Sequence, residues 1–567
     1  MNKVPIQVMD ITTIKAVVFE LRQKIVPSRF EKAQQLDSYT LQLGFRTLEN
    51  LTWIEVSWLA ECPRIVQIPP PKKNGESSTL AKQLKYLLTN LALVEIEQTG
   101  FERVIKFRFA SRPGKEIEKE FIAELMGRHS NILLLDRSKK IITLGKQIKE
   151  SQSRLRPIGT GDIYKLPPPL KGLMPNSSES INSWKRNICL VPSTFKNCLR
   201  NTYQGISPAL TFQIASDNYD EAINIINQSV KNIDPSTWEA IYKRWKNWLS
   251  DIEHNNYSIN FDSSTDFMVW GKLKSVNQNT KIALQLSSYY SNKILEKKLN
   301  SIWEILKNNL NNLKSNEFRK LEIQELLIKN ISEYLTMQNK ANYILTLQSP
   351  TKTQIIESQK LFKEAKRKKR SRESILSRIE FHKKKILDIE YCELFLDSLI
   401  YKEGEDNNIK LSSILELKEE IEDYIYLKKA NKKIKSKKKK EHSLNIKEIE
   451  TLNGLKIQIG SNHRQNELIS LKKGKKGDIW FHAQETPGSH VVLKSSNGLV
   501  DDNDIQLAAD LASFFSRARG NKLVPVIMVP IENLQRISGS LPGTVSHRGG
   551  KVIWGNAERA EKYFHQK

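Results

Sequence analysis

The sequence predicts an α+β multidomain protein: a sheet-bearing domain at each end, a helical block after the first, and a long antiparallel coiled coil before the last. Three observations predict it. Residues 53–59 and 103–109 alternate apolar and polar side chains, as half-buried strands do. Across residues 286–435 glycine nearly disappears, charge rises, and leucines and isoleucines fall into heptads. Residues 477–494 gather two histidines, an acid, a tryptophan and a Pro-Gly turn ahead of the apolar run Val491-Val492-Leu493.

At 567 residues the chain is long enough for three or four domains of roughly 100–200 residues. Ninety Lys and Arg stand against 63 Asp and Glu, a formal charge of +27. Such a charge repels itself unless a polyanion is near, so nucleic acid is the expected partner. No run of about 18 apolar residues suggests a membrane span. In the first thirty residues Asp10, Glu20 and Arg22 interrupt any signal-peptide pattern, and the expected location is cytoplasmic. Cys62, Cys189, Cys198 and Cys392 are too scattered for a zinc knuckle or a disulfide framework. No metal or cofactor is expected.

Residues 1–165 read as the first α+β domain, with a helix over residues 80–93 packed on its sheet. The proline-rich residues 69–73 cannot pair inside a sheet and are expected as a loop. Met126-Gly127-Arg128-His129-Ser130-Asn131 forms a polar turn feeding an apolar strand. Residues 166–285 open on the stiff linker Leu166-Pro167-Pro168-Pro169-Leu170. In Tyr203-Gln204-Gly205-Ile206-Ser207-Pro208, a glycine turn is followed by a capping serine and a proline at the first helical position, as in a helix-hairpin-helix. Trp238, Trp245, Trp248 and Trp270 read as core.

Residues 286–430 carry the coiled coil. Leu295, Leu299, Ile302, Leu306 and Leu313 form one seam; Ile375, Ile379, Ile386, Ile389 and Leu396 form the other, interrupted by His382 and Glu393. Pro350 separates the arms, each of which would project roughly 60–75 Å. Lys366, Arg367, Lys368, Lys369 and Arg370 have almost no interleaved acid and are expected to contact nucleic acid. A lysine-rich linker over residues 431–442 precedes a last domain over residues 443–567, in which residues 504–519 read as an amphipathic helix. On chemistry alone residues 477–494 fit either a binding surface or a hairpin whose histidines pair with backbone.

Several of these stretches resemble the NFACT family of ribosome quality-control factors. The matching stretches are Arg464-Gln465-Asn466-Glu467, Asp478-Ile479-Trp480, His482, Pro487-Gly488-Ser489-His490-Val491-Val492 and the turn at residues 126–131. Gln98-Thr99-Gly100 leads to Glu102-Arg103, where the family has Asp-Arg. Two further departures are Tyr86-Leu87 in a helix that is more basic in the family, and Val526-Ile527-Met528-Val529 in place of Val-Asp-Tyr-Thr.

The resemblance implies an α+β RNA-binding domain at the C-terminal side and binding to large ribosomal subunits obstructed by peptidyl-tRNA, through rRNA and a stalk-base protein. It also implies recruitment of tRNA, alanyl-tRNA in the family, for untemplated tailing of stalled chains, with the ribosome supplying the chemistry. Glu102, Arg103, Arg128, His129 and Asn131 would then bind tRNA. Arg464, Asn466, Asp478, Trp480, His482, Ser489 and His490 would bind RNA, and residues 366–370 the ribosome. Two alternatives come with the resemblance. A DNA glycosylase/lyase would need an N-terminal proline amine, whereas Pro5 is internal, and a cysteine-bound zinc finger, which the cysteines do not form. A fibronectin-binding adhesin would need a secretion signal or an anchor.

Overall fold

The computed structural model describes residues 6–71, 78–261, 265–271, 281–331, 334–399, 406–423, 446–538 and 540–565. Lys72, Lys73 and the lysine-rich linker lie outside the described residues. The chain divides into two units, residues 1–294 and 295–567.

The first unit is built on a nine-stranded antiparallel sheet. Helix α1 (Ile11–Ile25) precedes strands β1 (Ser28–Asp37), β2 (Thr40–Arg46), β3 (Leu51–Ser57) and β4 (Arg64–Ile68). Helix α2 (Thr79–Leu88) leads into β5 (Ala92–Gln98), β6 (Val104–Ala110), β7 (Lys119–Glu124), β8 (Asn131–Leu135) and β9 (Ile141–Leu144). The order is β4-β3-β2-β1-β5-β6-β7-β8-β9, so β5 turns back beside β1. Ile14, Val17, Leu21 and Ile25 of α1 bury against the sheet, where Phe30, Phe45 and Phe109 meet ring to ring. Helix α2 is shorter than the apolar spacing suggests. Asn90 takes a left-handed conformation (φ 72°), which asparagine tolerates, and Leu93 passes into β5.

Helices α3 (Ile181–Ile188), α4 (Phe195–Thr202), α5 (Pro208–Ala215), α6 (Tyr219–Asn227) and α7 (Pro235–Glu253) enclose a second core. Trp184, Trp238, Trp245 and Trp248 are fully buried there and Trp270 packs beside them. Helices α4 and α5 flank the glycine turn; Ser207 caps α5 by accepting from Leu210 N, and Pro208 opens it. The chain then returns to the sheet: Phe267, Leu286 and Tyr290 join the first core, and Gln7 donates to the Phe267 carbonyl (2.8 Å).

Helix α8 (Ile282–Ile331) runs from the first unit into the second. With α9 (Tyr334–Leu345) it packs against α10 (Lys352–Ser398) in antiparallel register. The register is read from pairs: Lys307–Asp397 at 2.9 Å, Lys314–Glu393 at 2.8 Å, His382–Glu317 at 2.7 Å, and Ser358 Oγ donating to Ala341 O at 3.0 Å. Pro350 lies in the turn, and Thr351 with Gln354 forms a capping box that starts α10. Ile375, Ile379, Ile386, Ile389 and Leu396 are buried as the heptads require. Both seam interruptions, His382 and Glu393, take part in charged pairs between the helices. Helix α11 (Asn407–Ile421), which heptad reading missed, adds Ile414, Leu417 and Ile421 to a cluster around Leu310 and Phe395.

The last domain is a six-stranded sheet. Its strands are β10 (Lys447–Glu450), β11 (Lys456–Ile459), β12 (Ile479–Ala483), β13 (Val491–Leu493), β14 (Val524–Pro530) and, after the small pair β15 (Leu534–Arg536) and β16 (Val545–His547), β17 (Lys551–Gly555). The order is β10-β11-β13-β12-β14-β17. The short helix α12 (His463–Glu467) follows β11, α13 (Asp502–Phe514) covers one face, and α14 (Ala557–His565) follows β17.

Glu317 tests how the arm is held. Burial alone would raise its pKa, but Lys320, His382 and Lys385 overcome that and hold it at about 2. A carboxyl depressed in this way stabilises the fold above its unfolded value of 4.5, and that contribution is lost as pH falls towards 2. Glu317→Ala leaves His382 and Lys385 unpaired at the seam. Circular dichroism in urea should show the arm destabilised by about 3 kcal/mol at neutral pH, with the difference shrinking below pH 4.5. Equal stability would mean that the apolar seam alone sets the register.

Candidate nucleic-acid interfaces

The turn after β5 is tied by one side chain. Gln98 Nε2 donates to the carbonyls of Thr99, Gly100 and Glu102 at 3.1, 3.1 and 2.8 Å, while Gly100 supplies a positive φ of 58°. This places Glu102 and Arg103 at the start of β6. Glu102 Oε1 accepts from Leu170 N at 3.1 Å. The Arg103 guanidinium is half-buried; burial pulls its pKa below the ordinary value, and the charges of Asp10 and Glu102 oppose that pull. It makes no hydrogen bond to a described residue. Other half-buried arginines differ: Arg156 holds Glu124 with two bonds (2.9 and 2.6 Å), and Arg108 is tied to Glu95 and Glu97. Arg103 therefore has a donor fork that no described residue fills.

Asp10, which in the sequence marks only a break in any signal-peptide pattern, organises this place. Its Oδ1 accepts from Thr13 N and Thr13 Oγ1 at the start of α1, and its Oδ2 accepts from Ser207 Oγ (2.9 Å) at the start of α5. The hairpin glycine, Gly205 (φ 76°), packs so closely that an added Cβ would lie 2.9 Å from Phe101 and 3.1 Å from Ile11. The helix-hairpin-helix thus presses its apex against the turn that carries Arg103.

In the turn at residues 126–131, Gly127 has a positive φ of 60° and Ser130 Oγ accepts from Met126 N. Arg128 and His129 stand exposed, 3.1 Å apart between Nε and Nε2. Asn131 is fully buried and bonds the backbone of Lys146 in both directions, at 2.7 and 2.9 Å. It holds the turn, and its amide is committed to that work.

In the last domain the grouped residues do come together, mostly as framework. Asp478 is buried against Lys494 (2.9 Å), Ser496 Oγ (2.6 Å) and Lys475 N (2.9 Å). Trp480 stacks on His482 with centroids 5.5 Å apart and an interplanar angle of 4°, and meets His490 edge-on at 5.1 Å. His490 Nδ1 lies 2.8 Å from Ser470 Oγ, and its N–H donates to Asn466 Oδ1 at 3.1 Å. Burial drives His482 down to about 4 and His490 well below the ordinary imidazole value. Both rings are neutral at pH 7, so they pack on Trp480 as aromatic rings rather than acting as charges. Ser489 is buried, its N–H donating to Phe515 O. Residues 366–370 lie on α10, about 21–27 Å along the helix from its start. Lys366, Arg367, Lys369 and Arg370 are exposed there. The four exposed cations make a positive patch on the outward side of the returning arm, with Lys368 turned partly inward.

Comparison with known proteins places these features. A profile described as NFACT N-terminal and middle domains matches residues 10–349, more than half of the chain, and one described as NFACT protein RNA binding domain matches residues 447–549. The chain belongs to the NFACT family. It is similar to "Rqc2 homolog RqcH" of Streptococcus pneumoniae serotype 2 (strain D39 / NCTC 7466), 27% identical over 558 residues, 95% of this chain and 96% of that protein. It is also similar to the protein of the same name from Bacillus subtilis (strain 168), 26% identical over 493 residues, 81% of this chain and 82% of that one. A solved structure of the C-terminal part of the fibronectin/fibrinogen-binding protein from Streptococcus suis matches at 25% identity and a TM-score of 0.37, covering 47% of this chain and 98% of that one.

The NFACT stretch Arg464-Gln465-Asn466-Glu467 has an inward role in this fold. Glu420, on α11, accepts from the N–H groups of His463 (3.0 Å) and Arg464 (3.2 Å) at the start of α12. Arg464 pairs with Asp423 at 2.5 Å, and Gln465 donates to Glu416 at 3.3 Å. Helix α11 thereby clamps the RNA-binding domain onto the base of the arm. Sequence reading could have suspected α11 from the acids at 416, 419, 420, 422 and 423, but nothing in the chain order tied them to Arg464.

Burial raises Glu420 to about 7, against the partial relief given by the two N–H groups. A carboxyl raised from 4.5 to about 7 on folding contributes stability below pH 4.5 that is lost as pH rises through 7. Glu420→Gln keeps an acceptor at the clamp and cannot ionise. Thermal melts should show the wild type losing stability between pH 5 and 8 relative to this variant; parallel pH profiles would remove Glu420 from the clamp.

Proposed function

We propose that this NFACT protein is a ribosome-associated quality-control factor that binds large subunits obstructed by peptidyl-tRNA and recruits tRNA, alanyl-tRNA by family resemblance, for untemplated tailing of the stalled chain. The observation that carries the reading is Arg103, a half-buried guanidinium with an uncommitted donor fork. It sits at the turn where the family has its Asp-Arg pair. A planar fork fits an RNA phosphate or a guanine edge with paired bonds. The likeness to proteins named RqcH over almost their whole length supports the same reading. So does the +27 charge, with its positive patch on the arm.

In this reading the protein positions and selects while the ribosome makes the bond, and the work is done in the cytoplasm. The charges of Asp10 and Glu102 attract the Arg103 guanidinium, and Arg128 and His129 supply an exposed polar turn of the same domain. The longer Glu102 keeps the charge of the family's aspartate, and its Leu170 contact fixes where that charge sits.

Purified protein should co-sediment with free large subunits, with log affinity falling linearly as log salt rises. Arg103→Ala should reduce bound tRNA roughly ten- to a hundredfold, the loss of one charged contact of about 1.5–3 kcal/mol, while subunit binding persists. Glu102→Asp should leave tRNA recovery unchanged or improved. Sequencing RNA that co-purifies with each variant reads the result. Undiminished tRNA with Arg103→Ala would take the pair out of the site.

A further inference from the structure

The sheet of the last domain has two faces with different fates. Phe481, Val491 and Val526 point to α13 and form its core. The other face is covered only in part, by Ile469, Ile531 and Leu534 lying over Trp480 and Val529. Towards the β17 edge it lies open. His482, Ile527 and Val552 stand side by side across three strands, with Pro525 and Trp554 paired in the next row but one. Trp554 is 57% and Val552 49% exposed, while His482, Ile527 and Pro525 are half-buried. An indole left that open on a regular strand, beside further exposed apolar surface, is a feature that folding alone does not require.

The surroundings are cationic. Between residues 517 and 557 the chain has Arg517, Arg519, Lys522, Arg536, Arg548 and Lys551 against one carboxylate, Glu532. Arg517 and Arg536 are taken by Glu390 and Glu467. Lys522, Arg548 and Lys551 are exposed and form no ion pair among the described residues. Arg548 lies ahead of β17 and Lys522 beyond its other end, with Val552 and Trp554 between them along a strand about 13 Å long; Lys551, in the row of Phe481 and Met528, points to the α13 face. His547 brings a further ring to within 6.3 Å of Trp480.

We propose that this open face binds single-stranded RNA, Trp554 stacking on a base and the cations at both ends of β17 meeting the phosphates. The chemistry fixes the class of ligand. An aromatic platform needs an exposed π-face, which a base in a duplex does not offer, and a cation rim without acids suits a polyanion. Addition of a peptide strand along the edge is less well served, because the Trp554 carbonyl is already taken by Gln506 Nε2 at 2.9 Å. The proposal deepens the reading of this domain as RNA-binding and rests on it. It assigns a surface whose key strand, residues 551–555, lies beyond the segment that the family profile matches.

The test uses the full chain, a fluorescein-labelled oligouridine and a duplex RNA of equal length, with anisotropy followed over a range of salt. Trp554→Ala should weaken oligouridine binding about tenfold without changing the slope of log affinity against log salt. Trp554→Phe should restore most of it, and duplex binding should not move. Arg548→Gln with Lys522→Gln should flatten the salt slope by about 1.4, the loss of two phosphate contacts to a single strand. Unchanged thermal melts are expected, since the substituted side chains are exposed. Oligouridine binding that Trp554→Ala leaves unaltered overturns the proposal. If that variant instead loses only large-subunit sedimentation, the face serves a protein or a duplex. Wild-type protein that neither binds oligouridine nor sediments with subunits would bring down the parent reading as well.

Discussion

One buried carboxylate holds the first unit's candidate site together. Asp10 caps α1 with one oxygen and accepts from Ser207, the cap of α5, with the other, so two helix starts from distant parts of the sequence share an anion. The same charge acts on Arg103. The helix-hairpin-helix and the turn after β5 are then fixed against each other, and Gly205 allows the approach because a Cβ would meet Phe101. Trp248 adds a second tie by donating to Thr12 Oγ1 at 2.9 Å. These contacts fix the turn from which Arg103 projects.

The second unit uses acids in a comparable way but for different ends. Glu317 gathers two lysines and a histidine at an otherwise apolar seam. A buried ionic cluster of that kind can fix register, because sliding the helices would strand its charges. Glu420 meets two backbone N–H groups and the charge of Arg464, and burial outweighs them and raises it. The first carboxylate resists protonation and the second invites it; the difference lies in the neighbours, not in the residue type.

Some of this was legible in the chain. Alternation located β3 and β6, heptads located the arm, and Gly205, Ser207 and Pro208 located the hairpin, each because a local pattern reflects a local geometry. The turn at residues 126–131 was read correctly as a turn. Its last member, Asn131, proved to be bonded to Lys146, a partner that spacing could not name. Asp478, Asn466 and Ser489 likewise drew notice as polar residues in a dense stretch, and their side chains or backbone now account for how that stretch folds. Helix α11 is not separable in the sequence because its buried Ile414, Leu417 and Ile421 keep the 3-4 spacing of the arm that precedes it, and only contacts show that it packs as a third helix.

By itself, then, the sequence determined the class of fold, the order of its elements, the excess of positive charge and the family resemblance, all properties of neighbours along the chain. Tertiary structure decided which of the marked polar side chains remain free. Arg103 and Trp554 are open while Arg464 and Asp478 are committed, and nothing local separates them. A side chain is used up by whatever lies against it in space. Those partners, Asp423 just past the end of α11 and Lys494 from the neighbouring strand's end, come from 41 and 16 residues away.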